Sequence, residues 1–305
     1  METHGAPGRK ANLGIAADLI AVIVAATDEQ PRVLTLAGEA LPAGPFTSGH
    51  RSLQAGVRSW VEQQTHHPLG YVEQLYTFAD RDRTAAGPET QFVSISYLGL
   101  TREEAASGNA GWRCWYDYFP WEDRREGAAD GPILKSLGAW ARQATGERRR
   151  ERERRVAIDF GIGVGWNEEL VLQRYELLHE AGLVAEAGAN ASKVPGRRMM
   201  HDHRRILATG IARLRAKIKY RPVVFELMPD SFTLLQLQRT VEALAGQLLH
   251  KPNFRRLIEQ QALVEEAGGV TTGTGGRPAK LFRFRRDVLL ERSVTGTKLP
   301  LARSG

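Results

Sequence analysis

The chain has one cysteine, Cys114, in 305 residues, which excludes an internal disulfide and suits a reducing compartment. It lacks an apolar run of membrane-spanning length. The longest, Leu13 to Ala26, covers 14 residues and contains Asp18, whereas a spanning helix needs about 20. The first ten residues carry little charge and no small-residue cleavage pattern behind a long apolar core, so a secretory signal is not expected. Internal repeats and low-complexity tracts are missing too. With 42% hydrophobic and 25% charged residues the composition is that of a folded protein, which excludes collagen, coiled coil and disorder. The length exceeds the ~100 to 200 residues of one domain and predicts two. A cytoplasmic protein that crosses no membrane is the expectation.

Charge is present in excess of one sign, and unevenly. The formal net charge is +7, yet residues 1 to 144 hold 13 basic and 17 acidic groups, residues 145 to 220 hold 16 and 10, and residues 221 to 305 hold 13 and 8. An acidic front joined to a basic back suggests a polyanionic partner for the rear of the chain, because a surface of one sign attracts phosphates over several ångströms.

In the front part, Leu19 to Ala26 and Arg32 to Ala37 are β-branched apolar runs separated by a turn-forming Thr27 to Pro31, a pattern that predicts a buried hairpin. A Gly/Pro-rich loop, Leu41 to Pro45, precedes Ser52 to Gln64, where Leu53, Val57, Trp60 and Val61 fall at helical spacing behind an N-capping Ser52. Tyr71 to Ala79 and Phe92 to Leu100 follow as strands, the second alternating around a half-buried face. Trp112 to Trp121 places three Trp, two Tyr and one Phe in ten residues; it reads as a strand and loop sealing a core, with a base-stacking platform as the alternative. Cys114 within it reads as a packed core thiol.

The middle of the chain is less regular. Gly146 to Arg155, GERRRERERR, has no apolar face and reads as a solvated linker or exposed helix, or alternatively as a phosphate clamp. Asn167 to Ala181 predicts a helix opened by an Asn cap and closed by Gly182. Gly188 to Arg198 reads as a surface loop, and Asp202 to Lys219 resumes a helical pattern. His201 and His203 two residues apart at a helix start point their rings apart, so a metal site is not expected there; capping by Asp202 and His203 is.

The last third predicts two short helices and a hairpin. Thr233 caps Leu234 to Leu244, with Leu234, Leu237, Val241 and Leu244 on one face. A second helix is expected from a capping Asn253, with Phe254, Leu257, Ile258 and Gln261 toward one face and Arg255, Arg256 and Glu259 outward. Two helices joined by a short turn resemble a helix-turn-helix. Leu263 to Glu266, a glycine-rich tip from Gly268 to Gly276, and Arg277 to Phe284 make a β-wing. A major groove about 12 Å wide admits one helix whose arginines fork onto guanine or phosphate, and a flexible tip ending in Arg277 and Lys280 can follow the backbone. Lys251, Asn253, Arg255, Arg256, Arg277 and Lys280 are thus the candidate DNA-contacting residues. The competing reading is a small helical domain for protein contacts.

Phe225-Glu226-Leu227-Met228-Pro229, Phe232 to Gln238, Lys251 to Arg256 and Gly276 to Phe282 together resemble, in order, the winged-helix part of the Nudix-related transcriptional regulators of NAD metabolism. The similarity covers residues 203 to 285 closely, and the chain is most similar to the NadQ branch of that NrtR-type family, having extra material before the linker helix. The resemblance implies an α/β fold: a Nudix-like α/β/α sandwich and effector-sensing domain over residues 1 to 203 with an insertion at about 121 to 200, a linker helix over 204 to 221, a C-terminal winged helix-turn-helix domain over 222 to 290 and a flexible tail over 291 to 305.

Against the Nudix catalytic box, Gly44, Arg58, Trp60 and Glu62 match, while His50, Ser59 and Gln63 stand where carboxylates belong and Thr65 replaces a glycine. Pyrophosphate cleavage needs Mg²⁺, a hard cation held by oxygen ligands, so the expectation is no catalytic residue, no metal and no required cofactor. His50, Arg58 and Glu62 become the candidate effector-binding residues. The resemblance implies a homodimeric DNA-binding regulator, a repressor of NAD biosynthesis or salvage genes, with double-stranded operator DNA and an NAD-related nucleotide or ATP as partners. The alternative is an active Nudix hydrolase of ADP-ribose or a dinucleotide.

Overall fold

Alternation along one strand sets the architecture. In β1 (Gly14–Thr27) Leu19, Ala21 and Ile23 pack into one core while Ile20, Val22 and Val24 pack into another, as a central strand covered on both faces requires. The computed structural model describes residues 14–27, 29–79, 90–105, 108–188, 194–271, 278–285 and 287. β1 turns back through Glu29, at φ 61°, into the antiparallel β2 (Gln30–Leu36), which is the expected hairpin. It also pairs in parallel with β5 (Thr90–Leu100) over its whole inner length and with the short β3 (Ala43–Pro45). With β4 (Tyr71–Phe78) and β6 (Ala110–Cys114) the order is β4-β5-β1-β2-β6.

The second predicted strand lies between β4 and β1, so it is buried from Ser96 to Leu100 rather than half-exposed on one face. Helix α1 (Leu53–Thr65) covers one face of the sheet through Val57 and Val61. Ser52 caps it as expected, accepting from Ala55 N at 3.1 Å. The other face is covered by α5 (His203–Ile218), with Ile206, Leu207, Ile211, Leu214 and Ile218 buried. Gly210 permits the approach: a Cβ there would lie 2.8 Å from Val22 Cγ1. The helix expected to link two domains is therefore a layer of the sandwich itself.

Residues between the aromatic segment and α5 form three further helices, α2 (Gly131–Arg142), α3 (Gly146–Asp159) and α4 (Val171–Glu180). The arginine-rich run is the front of α3, a helix that buries only Val156 and Asp159. The helix expected from Asn167 starts at Val171, because Asn167 closes a turn by accepting Glu169 N at 3.0 Å. α6 (Leu234–Ala245), α7 (Lys251–Gln260) and the antiparallel pair β7 (Val264–Thr271) and β8 (Ala279–Phe284) follow among the described residues. Their apolar faces join the core on the α5 side, which runs without a break from Val22 to Ile258. Among the described residues no helix is long and apolar enough to cross a membrane.

Candidate nucleic-acid interface

Thr233 opens α6 with a reciprocal cap: its hydroxyl accepts Gln236 N at 3.1 Å and Gln236 Oε1 accepts Thr233 N at 2.7 Å. Two orphan amides are satisfied at once, which fixes where the helix begins. It ends at Gly246, in the left-handed region at φ 71°. The next helix, α7, starts at Lys251 behind His250, three residues earlier than expected; Pro252 suits its first turn, and Asn253 lies inside the helix rather than capping it. Phe254 and Ile258, one turn apart, are buried, while Lys251, Asn253, Arg255, Arg256 and Glu259 are exposed, Arg256 lying directly opposite the buried pair. Neither Arg255 nor Arg256 has a hydrogen bond or ion pair within the described residues.

The wing is anchored by aromatic residues. Phe232 and Phe282 exchange two backbone hydrogen bonds of 2.9 and 2.8 Å, and Phe225 stacks on Phe284 with ring centres 4.3 Å apart. β7 and β8 shift register between Glu266 and Val270. Lys280 points to solvent in an ion pair with Glu266 at 2.6 Å, a contact weak enough in water to yield to a phosphate. Arg277 lies outside the described residues.

In the front half, the loop before α1 is held by side chains that the motif comparison only partly marked. Trp60 lies against Gly44, where a Cβ would come within 2.3 Å of the indole, and donates Nε1–H to Pro45 O at 3.0 Å. Gln64 clamps Ala43 by accepting its N–H at 3.1 Å and donating to its carbonyl at 2.7 Å. His50 stacks on Phe46 and meets Trp60 edge-on, its Nδ1 accepting Thr47 N at 3.1 Å. Arg58 donates from Nη1 to Leu69 O and from Nη2 to Gly70 O, the latter at 2.9 Å, so its fork braces the chain leaving α1. Glu62 is exposed. No hydrogen bond or ion pair joins His50, Arg58 and Glu62 to one another among the described residues.

The expected capping at Asp202 and His203 takes another form. Asp202 stands at the N-cap without a side-chain cap bond and pairs instead with Arg205 at 3.2 Å. His203 is half-buried, and its Nδ1 accepts Leu41 N at 2.9 Å. Burial, then the nearby His201, push its pKa down to about 4. Cys114 is half-buried on the sheet edge, its thiol pushed up chiefly by burial and donating to Gln30 at 3.1 Å.

Residues 224–284 match the family described as the NrtR DNA-binding winged helix domain. The rear of the chain is an NrtR-type winged helix. Over 83 residues the chain is 40% identical to the ADPR responsive transcriptional repressor NtrR of Acinetobacter baylyi, a match spanning 27% of this chain and 33% of that protein. The whole fold is similar to the crystal structure of Shewanella oneidensis NrtR complexed with a 27mer DNA, with a TM-score of 0.57 and 21% identity over 89% of this chain and 94% of that one. It is also similar to a MutT/nudix family protein from Enterococcus faecalis, with a TM-score of 0.54 and 16% identity over 92% of this chain and 90% of that one. The fold is thus the Nudix-like sandwich followed by a winged helix. These likenesses concern the NrtR type as a whole and not the NadQ branch.

Proposed function

We propose that the chain is a DNA-binding transcriptional regulator, a repressor of NAD biosynthesis or salvage genes, whose front half senses an NAD-related nucleotide. The observation that carries this reading is α7: a short helix in an NrtR-type domain, pinned by Phe254 and Ile258, that leaves Lys251, Asn253, Arg255 and Arg256 exposed to solvent. Such a helix fits a major groove, where its arginines contact guanine or phosphate. Arg277 and Lys280 of the wing add backbone contacts. The protein acts in the cytoplasm as a homodimer, matching two half-sites about one helical turn apart. Residues 1 to 203 carry the sensing function together with α5, and residues 222 to 290 bind DNA; the tail expected over 291 to 305 lies outside the described residues.

The effector is ADP-ribose or a close relative, as the name of the Acinetobacter relative suggests, met in the front half by His50, Arg58 and Glu62. Magnesium chemistry does not fit these residues. α1 offers one box carboxylate, Glu62, flanked by Ser59 and Gln63, where pyrophosphate cleavage needs several oxygen ligands around a hard cation. The front half therefore reports a nucleotide instead of cutting it.

Selection of duplexes from a random 40-base-pair pool by the full chain tests the reading. Enrichment of a paired motif, released when ADP-ribose is added and bound less tightly as salt rises, is expected. Failure to retain any duplex at low salt would overturn it. Incubation with ADP-ribose and Mg²⁺ separates the alternative: turnover at ordinary enzymatic rates would make the chain a hydrolase.

A further inference from the structure

The corner of the helix-turn-helix is tied to the front half through its main chain, and one of the ties leads to a buried carboxylate. Arg215 of α5 donates Nε–H to Leu244 O at 2.9 Å. Tyr116 donates to Ala243 O at 2.6 Å, and Arg124 N to Gly246 O at 2.8 Å. The other arm of Arg215 reaches Glu122 Oε2 at 2.6 Å, and Arg174 of α4 approaches the same carboxylate with two nitrogens, at 2.5 and 2.8 Å. Glu122, Arg174 and Arg215 are all fully buried. Gly246 presses on Glu122 so closely that a Cβ would lie 2.2 Å from the Glu122 carbonyl oxygen.

One carboxylate between two guanidiniums is an asymmetric arrangement. Burial pushes the Glu122 carboxyl up, and the two arginines outweigh it and hold it ionised. Arg174 is further fixed by the carbonyls of Asp159 and Asn167, each at 2.9 Å, and lies 3.7 Å over the Trp166 ring. Glu122 therefore holds Arg215 from a rigid base, and Arg215 holds the Leu244 carbonyl in the last turn of α6, a few residues ahead of Lys251 where α7 begins. If the carboxylate lost its charge, two buried cations would repel each other beside the turn, and relief would come by movement of the α6–α7 corner.

We infer that Glu122 is a positioning residue for DNA recognition: through Arg215 it sets the attitude of α7 against the front half. The inference rests on the proposed DNA-binding function. It makes the tryptophan-rich segment, otherwise a core seal, part of the machinery that aims the reading helix.

The test uses the full chain, a duplex recovered by the wild-type protein from the random pool, and three readouts: DNA affinity, denaturation midpoint and amide exchange at residues 243 to 249. Glu122→Gln keeps the shape and is expected to weaken DNA binding on the order of tenfold and to speed exchange at the turn. A second variant carries Glu122→Leu, Arg174→Met and Arg215→Met together. Apolar replacement of a buried ionic group restores stability, but no Nε remains for Leu244 O, so the midpoint should recover while DNA affinity stays low. Wild-type affinity in Glu122→Gln, or affinity recovering with the midpoint in the triple variant, would overturn the inference and leave the function standing. If Glu122→Gln does not fold, the triple variant decides. If the wild-type chain binds no duplex, the function itself fails, and the inference with it.

Discussion

Arginine has opposite roles in the two parts of this molecule. Around α4 and α5, Arg174, Arg204 and Arg215 are among the largest fully buried side chains; on α7, Arg255 and Arg256 lie open to solvent. The inner set is surrounded by acceptors and aromatic faces. Arg204 donates to Tyr118 O and to Glu186, with its guanidinium 5.2 to 5.6 Å from the rings of Phe119, Trp121 and Tyr175. The outer set makes no such contacts within the described residues. The sign of a segment does not tell its use. Residues 145 to 220 are as basic as the rear, yet several of their arginines build an interior.

The comparison breaks first where an inner arginine loses its counter-charge. Glu122→Ala should destabilise the fold by ~3 to 5 kcal/mol, because it leaves two buried guanidiniums without the carboxylate they share; a denaturant midpoint equal to wild type would show that the interior tolerates its loss. His203 probes the same intolerance by pH. Its folded pKa of about 4 lies below the unfolded value of ~6.5, so the unfolded chain binds more protons between these values. The contribution is therefore full above pH 6.5 and is lost as pH falls toward 4, at ~1.4 kcal/mol per unit. His203→Asn, which keeps an acceptor for Leu41 N without titrating, should flatten the midpoint-versus-pH curve in that window.

The outer set should behave in reverse. Arg255→Ala or Arg256→Ala is expected to leave the midpoint within about 0.5 kcal/mol of wild type while weakening DNA binding by ~1 to 3 kcal/mol where the side chain meets a base. A shifted midpoint with intact DNA binding would place these arginines in the structural class. The smallest effect sharpens the comparison at α6: Thr233→Ala removes the reciprocal cap and should cost ~1 kcal/mol of stability, read as a lower melting temperature.

What the sequence disclosed follows from how local each signal is. The β1–β2 hairpin, α1 with its Ser52 cap, and α6 with Thr233 depend on neighbours within a few residues, and periodicity plus capping chemistry predicted them. The α7 cap was displaced from Asn253 to His250 because a proline at the second position serves a first turn as well as a capping side chain does. The parallel β1–β5 pairing joins segments some seventy residues apart, which no local pattern encodes. The candidate set was legible in the same uneven way. Exposed Arg255 and Arg256 followed from the spacing of Phe254 and Ile258. The donation of Arg58 to Leu69 and Gly70 did not, since carbonyls beyond the helix end leave no trace in its motif. Glu122 was hidden because an acidic residue among tryptophans shows its partners only once α4 and α5 are placed beside it.

The joint at the end of α6 grips peptide oxygens, those of residues 243, 244 and 246. A peptide oxygen is common to every amino acid. The attachment therefore asks little of side-chain identity beyond the glycine at 246, and leaves the open surface of α7 free to change. The surface proposed to meet DNA can thus be rewritten while the joint that carries it stays the same.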